Sequence, residues 1–449
     1  MRSPTDRPNI ILINCDDLGY GDMGCYGSTV HRTPAVDQLA ADGVKFTDFY
    51  QAAPVCTPSR AALMTGCYPQ RVSMAVIDGE WVLFPGQGFG LNPEEKTIAT
   101  LLKEQGYATS LVGKWHLGDQ PEFLPTRHGF DEYYGIPYSN DMGIHEGSNY
   151  CPLPVLQDED VIEEQPDQAG LTERYVERAI SFMRKNRDTP FFLYFAHMYV
   201  HVPIIAPQRF VDASQNKEYG AAVEHIDFTV SQLMHELSEL GLDDNTIVIF
   251  TSDNGSEAND WRYGLGSNDP LRGTKGTTWE GGQRLPFVVR WLGQIPAGTV
   301  SGELTTSMDV LPTLAAIAGT AAPTDRIIDG QDVRSMWLQP ESTKSPHEAF
   351  FYYLLDELQA VRSGEWKLHT LSGDLYNLAA DIGETANVAA DNPEVIARLE
   401  ALAQACREDI GDTATDTPGA NRRPIGTVED PKKLTEYDPN HPYMVAMYD

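Results

Sequence analysis

Short apolar runs that end in polar residues recur along this chain, and they constrain its fold more than any other feature. The runs cover residues 9–15, 107–118, 191–196 and 245–252. Continuous apolar runs of this length are typical of strands that are buried on both faces of a parallel sheet. Helical patterns lie between them, so the sequence predicts an α/β fold with a mostly parallel sheet sandwiched by helices.

The rest of the chain adds helices to this sheet and then changes character. Helices are predicted at 33–43, 56–66, 93–106, 171–186, 218–240 and 307–319, and a fifth strand at 287–291. After a linker-like stretch at 340–348, an antiparallel sheet is predicted from short runs at 349–355, 359–362 and 366–369, followed by a helix at 393–406. At 449 residues the chain exceeds what one core usually organises. We therefore expect a large α/β domain over 1–345 and a smaller C-terminal antiparallel-sheet-plus-helix subdomain with an irregular tail over 346–449.

The charge balance limits the partners that this chain can have. It carries 33 basic and 65 acidic residues, which give a formal net charge of −32. Such a chain repels polyanions, so nucleic acid and an anionic membrane surface are excluded as partners. A small anionic substrate could be held only in a locally cationic pocket, which gives clustered Lys, Arg and His residues particular weight.

The sequence shows no targeting or membrane-spanning segment. Residues 1–8 lack the apolar core of a signal peptide, and no run approaches the roughly 20 apolar residues of a membrane span. The six cysteines form no C-x-x-C pair and no zinc-site spacing. We expect a cytoplasmic protein, or a secreted or periplasmic one if a leader has been removed.

Polar residues at the ends of the apolar runs form a first candidate site. Asp16 and Asp17 follow the first run, and Asp253 and Asn254 follow the fourth. Ligands of open α/β sheets bind beyond the carboxyl ends of the strands, so these side chains are expected to converge. Adjacent acids after a buried strand are costly unless a cation or hydrogen bonds compensate them. A helix cap or turn is one explanation, and a site for a hard cation such as Ca²⁺ or Mg²⁺ is the other.

Residues 56–66 read as a helix that begins with a cysteine. Pro58 suits the first helical turn, and Gly66 can end the helix. Cys56 is therefore expected where backbone N–H groups favour an anion. Considered alone, Cys56 is either a small buried hydrophobe or a functional side chain.

The letters C-T-P-S-R-A-A-L-M-T-G at 56–66 resemble the signature of the type I sulfatases, C-x-P-S-R-x-x-x-L/M-T-G. G-Y-A-T-S-L-V-G-K-W-H at 106–116 is similar to their second signature, and L-R-G-T-K-G-T-T-W-E-G-G-Q-R-L-P at 271–286 is similar to a third segment. The resemblance covers most of the chain and is to arylsulfatase A-like and N-acetylgalactosamine-6-sulfatase-like members. It implies an alkaline-phosphatase-like fold and a sulfatase activity.

The resemblance also implies a role for individual residues. In this family the cysteine is oxidised to formylglycine, whose hydrate attacks sulfur, so Cys56 is the expected nucleophile. The residues expected to hold Ca²⁺, with Mg²⁺ as the alternative, are Asp16, Asp17, Cys56, Asp253 and Asn254. The residues expected to bind the sulfate group are Lys114, His116, Ser139, His201 and Lys275.

Proton transfer is assigned on the same grounds. Arg60 is expected to orient the hydrate, and Asp253 to accept its proton. His201 or Lys275 is expected to protonate the leaving alcohol, and His116 to act as base when sulfate is expelled. His197 and Arg284 are expected to be structural.

The expected substrate is a sulfated small molecule or oligosaccharide, and a formylglycine-generating enzyme is expected as the maturation partner. Specificity is expected to lie in an irregular insertion at 72–92, a solvated loop at 144–168 and a loop at 256–270. Residues expected either to contact the substrate or only to pack are Trp81, His145, Glu146, Asn149, Tyr150, Trp261 and Arg262.

Two other functions stay open from the sequence. One is a phosphate or phosphonate ester hydrolase of the same superfamily. The other is an unmodified, inactive binder of sulfated glycans. The sequence gives neither the oligomeric state nor the identity of the alcohol.

Overall fold

The computed structural model describes residues 7–145, 147–257 and 264–444. Within these ranges the strands are β1 (Asn9–Cys15), β2 (Val44–Tyr50), β3 (Phe89–Gly90), β4 (Ala108–Gly113), β5 (Glu132–Gly135), β6 (Pro154–Gln157), β7 (Asp160–Glu164), β8 (Phe191–Ala196), β9 (Thr246–Ser252), β10 (Arg284–Arg290), β11 (Thr299–Ser301), β12 (Thr305–Thr306), β13 (Phe350–Leu354), β14 (Glu357–Ser363), β15 (Trp366–His369), β16 (Leu375–Asn377) and β17 (Gly426–Thr427). The helices in the same ranges are α1 (Pro34–Ala41), α2 (Cys56–Thr65), α3 (Ile98–Glu104), α4 (Leu171–Lys185), α5 (Gln208–Ala213), α6 (Lys217–Leu240), α7 (Glu280–Gln283), α8 (Val310–Ile317), α9 (Arg334–Leu338) and α10 (Pro393–Ile410).

One large sheet organises the N-terminal three quarters of the chain. Among the described residues it has eleven strands, in the order β11-β2-β10-β9-β1-β8-β4-β5-β6-β7, with β12 also paired to β2. The central strands β9, β1, β8, β4 and β5 run parallel. Strand β10 runs antiparallel to β9, β6 runs antiparallel to β5, and β7 runs antiparallel to β6. The predicted mostly parallel sheet is therefore confirmed.

Helices cover both faces of this sheet. Alternate residues of β1 point to opposite faces, and both sets are buried: Ile10 and Leu12 lie in one core, Ile11 and Ile13 in the other. The first core includes side chains of α2, α3, α8 and α9, and the second includes side chains of α1, α4 and α6. A strand that is apolar on both sides requires this double cover, which explains the continuous apolar runs.

A second sheet lies near the C-terminus. Its four antiparallel strands follow the order β13-β14-β15-β16, and α10 packs on them through Leu399 and Ala403. Tyr50 and Ala62 of the preceding domain belong to the same hydrophobic core. The predicted antiparallel sheet with a helix is confirmed, whereas the domain boundary between residues 345 and 346 stays a prediction.

Several elements differ from the sequence prediction, among them β2, α3 and the hairpin β6–β7. The sequence prediction has no strand at β2, although its V-K-F-T-D-F-Y pattern alternates apolar and polar residues. Helix α3 begins at Ile98 and not at 93, because the Thr97 side chain accepts a hydrogen bond from Thr100 N–H and caps the helix. The stretch 144–168, predicted as a solvated loop, contains the hairpin β6–β7. Its acidic outer strand protects the edge of the sheet from pairing with other chains.

The last described residues return to the large domain. Strand β17 pairs with β3, which lies in the insertion predicted to be irregular. The Thr435 hydroxyl donates to the Pro152 carbonyl over 2.6 Å. The tail from 411 to 444 is therefore wrapped on the domain, one of the two outcomes expected from its turn-rich sequence. In none of the described ranges is there a helix with the length and apolarity needed to cross a bilayer.

Candidate active site

The candidate site lies at one edge of the large sheet. Strands β9, β1, β8 and β4 are neighbours and run parallel, so their carboxyl ends share that edge. The residues that come after these strands are Asp16 and Asp17 after β1, Lys114 and His116 after β4, His201 after β8, and Asp253 and Asn254 after β9. The structure thus brings together residues that are far apart in the sequence.

Helix α2 begins at this edge with Cys56, and all its residues are buried. It ends at Gly66, whose φ of 70° is left-handed and suits glycine. Arg60, one turn into the helix, donates from Nε to Asp253 Oδ2 (3.0 Å) and from Nη1 to Lys114 O (2.9 Å). These bonds fix the first turn of α2 against the ends of β9 and β4.

Three carboxylates meet beside this helix. Oxygens of Asp16, Asp17 and Asp253 lie within 4.8 Å of one another. Asn254 Nδ2 donates to Asp17 Oδ1 over 2.7 Å. Among the residues that the structure describes, the buried oxygens Asp16 Oδ1 and Asn254 Oδ1 have no hydrogen-bond partner. Buried carboxylates and amides with unpartnered oxygens are the ligands that Ca²⁺ prefers, so these residues fit the predicted metal site.

Two residues of the site have strained backbone conformations. The φ angle is 60° at Asp17 and 63° at His116. This left-handed region costs a residue with a side chain about 1–2 kcal/mol, so the surrounding structure must hold both residues in it. In both cases the strained residue lies where the chain leaves the sheet.

Two lysines neutralise part of the acidic cluster. Lys114 Nζ lies 2.5 Å from Asp16 Oδ2, and Lys275 Nζ lies 2.7 Å from Asp17 Oδ2. Burial alone would lower the pKa of each lysine, but the neighbouring aspartates raise both pKa values above the ordinary value. Although burial opposes it, Lys114 and Arg60 hold the pKa of Asp16 well below its usual range. At neutral pH the lysines are therefore cations and Asp16 is an anion.

Ser139 connects Lys114 to His201. Lys114 Nζ donates to Ser139 Oγ over 3.0 Å, and Ser139 Oγ lies 3.4 Å from His201 Nε2. His201 Nδ1 lies 2.6 Å from Val202 O, which can only accept, so Nδ1 carries a proton. His201 Nε2 is thus the ring atom directed at the site, 3.9 Å from Asp17 Oδ2.

His116 has one ring nitrogen fixed and the other free. Its Nε2 lies 3.0 Å from Leu83 O and must donate to that carbonyl. In the described part of the chain, Nδ1 is buried and has no hydrogen-bond partner. Burial, and after it Lys114, lowers the pKa of His116 well below its ordinary value. His116 is therefore a neutral ring, and its Nδ1 lone pair is unpartnered among the described residues.

The Cys56 thiol lies among these charges. Burial raises its pKa to about 11; Lys114 and Lys275 oppose this, and Asp16 and Asp253 add to it. Reactive cysteines instead have a lowered pKa and some exposure to solvent. The unmodified Cys56 side chain is thus a neutral thiol at pH 7.

The site opens to solvent beside Lys275. The Lys275 side chain is 17% exposed and that of His201 is 9% exposed, whereas Lys114 is fully buried. Among the charged side chains of the cluster, Lys275 and His201 are therefore the ones that solvent reaches most.

The other residues singled out from the sequence lie as follows. Arg284 donates to Thr47 O over 2.7 Å and pairs with Asp48, and His197 Nδ1 accepts from Tyr199 N–H over 3.1 Å. Substrate contact by His145 or Asn149 stays a prediction. Three further residues lie outside the described ranges: Glu146, Trp261 and Arg262.

The sequence reasoning missed the group that fixes the His116 tautomer. This group is the backbone carbonyl of Leu83, and the Leu83 N–H donates to Thr57 Oγ1 over 3.2 Å. A carbonyl is present at every residue, so no letter in the sequence indicates that this one is used. Thr57, by contrast, stands inside the cysteine motif and could have been considered.

The chain is similar to known proteins over most of its length. The sulfatase family model matches residues 8–320. Arylsulfatase A of Homo sapiens is 40% identical over 448 residues, which cover 88% of this chain and 87% of that protein. N-acetylgalactosamine-6-sulfatase of Canis lupus familiaris is 40% identical over 376 residues, covering 81% and 71%. The crystal structure of Ps i-CgsB in complex with k-i-k-neocarrahexaose superposes with a TM-score of 0.80 at 30% identity, over 92% of this chain and 97% of that one.

Proposed function

This chain belongs to the sulfatase family of sulfuric ester hydrolases, and on that premise we propose that it hydrolyses a sulfate monoester of a carbohydrate through a formylglycine formed from Cys56. The observation that carries the proposal is the position of Cys56 at the start of a buried helix, where carboxylates and lysines converge. A neutral thiol has no evident use there, whereas an oxygen nucleophile facing cations does. Conversion of Cys56 would require a formylglycine-generating enzyme as a partner.

Asp16, Asp17, Asp253 and Asn254, with the modified residue 56, would hold a divalent cation, for which Ca²⁺ suits the oxygen ligands best. When bound, the cation would supply positive charge to a sulfate oxygen and to the nucleophile. The unpartnered oxygens of Asp16 and Asn254 support this assignment. Asp253, held by the Arg60 guanidinium, would accept the proton of the attacking hydroxyl.

The sulfate group would lie between Lys114, Lys275, His201 and Ser139. Two ammonium groups and two hydrogen-bonding side chains stabilise the negative charge that spreads over the sulfuryl oxygens, which is the largest contribution expected in such a reaction. His201 or Lys275 would protonate the leaving alcohol. Both lie on the open side of the site, which is where the alcohol must leave.

The hydrate of formylglycine would supply two hydroxyls on one carbon. One would attack sulfur, and deprotonation of the other would re-form the aldehyde as the C–O bond to the sulfate breaks. His116 would take the second proton. Its Nδ1 lone pair is free because Nε2–H is bound to Leu83 O. A serine at position 56 has one oxygen and could not release sulfate in this way.

The substitution Cys56→Ser tests the proposal. We expect turnover to fall by at least about 10³-fold, the order of loss when a nucleophile is removed, with protein accumulating that is heavier by one SO₃ group. Activity is measured on an aryl sulfate, and the intact mass reports the trapped ester. Cys25→Ser, outside the site, should retain turnover. Sustained multiple turnover by Cys56→Ser would refute the mechanism.

Two further measurements separate the alternatives. A matched aryl sulfate and aryl phosphate should be hydrolysed at very different rates, with the sulfate faster; the reverse order indicates a phosphate or phosphonate ester hydrolase. The Cys56 peptide from the native host should be lighter than its thiol form by the mass of H₂S minus that of one oxygen atom, because the –CH₂SH group becomes –CHO. An unmodified thiol there would favour the inactive glycan binder.

A further inference from the structure

Trp81 stands at the entrance to the site. Among the tryptophans that the structure describes, it alone is exposed, with 43% of its surface accessible. A Cβ placed on Gly276 would lie 3.3 Å from Trp81 Cζ3, so the indole lies against Gly276. Gly276 directly follows Lys275, the most accessible lysine of the site. The exposed indole is therefore next to the opening through which an ester must enter.

The backbone on both sides of Trp81 is held in place. Ile77 and Glu80 exchange two backbone hydrogen bonds of 3.1 and 2.9 Å and close a tight turn. Leu83 is buried, and its N–H and carbonyl bind Thr57 Oγ1 and His116 Nε2. Trp81 lies between these two anchors, on a segment that is bonded to the first turn of α2. Its position is thus fixed relative to the candidate nucleophile.

The surroundings of Trp81 offer further contacts to a polar ring. Phe84 and Tyr150 stack with their centroids 6.4 Å apart and their planes at 8°. Burial raises the pKa of Tyr150, and the carboxylates of Asp141 and Glu80 raise it further, which places both acids near the phenol. Within the described residues, Asp141 Oδ1 is buried without a hydrogen-bond partner. These carboxylates could accept hydrogen bonds from hydroxyl groups.

We propose that Trp81 is a specificity-determining residue, on which the sugar ring of the leaving alcohol stacks. The proposal rests on the function proposed above and adds the part of the substrate beyond the sulfate. A sugar ring presents a face of C–H groups that packs on an indole, while its hydroxyls point sideways to polar partners. Because the alcohol leaves on the side of Lys275, the ring that carries the sulfate is the one that meets Trp81.

The test compares Trp81→Ala and Trp81→Phe with the unsubstituted, converted enzyme on two substrates. One is the monosulfated hexose that a panel shows to be hydrolysed fastest. The other is 2-hydroxyethyl sulfate, which has no ring but a leaving alcohol of similar basicity. We expect Trp81→Ala to lower kcat/KM for the sugar about tenfold and to change it less than about twofold for the ringless ester. Trp81→Phe should retain most of the sugar activity. Leu371→Ala, at an exposed apolar position outside the site, is the control.

A binding measurement removes the dependence on turnover. Calorimetry with Cys56→Ala protein should show that Trp81→Ala weakens binding of the same sulfated hexose by a similar factor. Equal losses on both substrates would mean that Trp81 only supports the fold, and unchanged sugar kinetics would mean that no ring stacks there. Either result overturns the proposed stacking of the sugar ring on Trp81. If the unsubstituted enzyme hydrolyses neither ester, the proposed function itself fails, and the proposed role of Trp81 fails with it.

Discussion

Lys275 joins the acidic cluster to the opening of the site. Its Nζ lies 2.7 Å from Asp17 Oδ2, and its side chain is the most exposed of the charged groups around residue 56. In the proposed reaction it would meet the sulfate group first and hold it beside Lys114. Its charge is secured by Asp17, which raises the pKa of Lys275 against the effect of burial.

Replacing Lys275 by alanine should remove most activity while keeping the fold. One of two ammonium groups on the sulfuryl oxygens is lost, so we expect kcat/KM to fall by about 10²–10³-fold, as for other charge-stabilising groups. Steady-state kinetics on an aryl sulfate measure the loss, and circular dichroism checks the fold. Lys344→Ala, at an exposed lysine, should leave kinetics unchanged. Kinetics of Lys275→Ala equal to those of the unsubstituted enzyme would contradict the assignment.

At the scale of residues, the sequence predicts identities better than orientations. Asp16, Asp253 and Lys114 could be selected because they end apolar runs, and parallel strands bring such ends together. The left-handed backbone of Asp17 and His116 could not be predicted, because it depends on how each chain turn packs on its neighbours. The same holds for the free Nδ1 of His116.

The segment that carries Lys275 is fastened to the C-terminal sheet by buried ion pairs. Lys367 Nζ on β15 lies 3.0 Å from Glu280 Oε1 and 2.9 Å from Glu384 Oε1, and all three side chains are fully buried. The same Nζ donates to Thr278 O over 2.8 Å, three residues after Lys275. The C-terminal sheet thus supports one wall of the candidate site.

Removing the Lys367 charge should destabilise the protein strongly. Lys367→Met removes the ammonium group that two buried carboxylates share, and only Glu280 keeps a guanidinium partner, Arg284 at 3.3 Å. We therefore expect the free energy of unfolding to fall by about 3–5 kcal/mol. Lys344→Met removes an exposed partner of Glu303, with 85% of the lysine side chain accessible, and should cost less than about 1 kcal/mol. Urea unfolding measures both. Similar losses in the two variants would show that the buried network contributes no more than a surface pair.

At the scale of elements, strand prediction succeeds where a strand is buried on both faces. The continuous apolar runs became β1, β8 and β9, because only a doubly covered strand is apolar on both faces. Strand β7, with the sequence D-V-I-E-E, was predicted as a loop because of its acidic residues. Such residues are suited to an edge strand. The pairing of β7 depends on β6 and hence on tertiary contacts that no local pattern contains.

The segment between the two sheets contains an ion pair that responds to pH. His347 Nε2 lies 2.8 Å from Asp309 Oδ1, and both side chains are largely buried. Burial would lower the pKa of His347, but the Asp309 carboxylate raises it above the ordinary value. A raised histidine pKa adds stability that is complete below the unfolded pKa of about 6.5 and is lost as pH rises through the folded pKa.

The substitution His347→Gln should therefore cost more at low pH than at high pH. We expect a loss of about 1.5–3 kcal/mol in the free energy of unfolding at pH 6, the range for hydrogen bonds to charged groups, and a smaller loss at pH 9. Denaturant unfolding of both proteins at the two pH values gives the difference. A loss that is the same at both values would contradict a charged His347.

At the scale of the whole molecule, the sequence predicts the layers of helices and sheets but not the long-range contacts that join them. The mostly parallel sheet, its two layers of helices and the second sheet were all expected from patterns. The pairing of β17 with β3 and the buried network around Lys367 were not, because they join residues that no local pattern relates. These long-range links connect the C-terminal part of the chain to the walls of the candidate site.

The burial of every residue in α2 limits the time at which the Cys56 side chain can be modified. Once the domain has folded around this helix, another protein cannot reach the Cys56 side chain unless the domain unfolds locally. The proposed conversion of Cys56 to formylglycine would therefore have to take place before the domain has folded. The active fraction of a preparation would then be set during synthesis. Later incubation of the folded protein with a formylglycine-generating enzyme would not raise it.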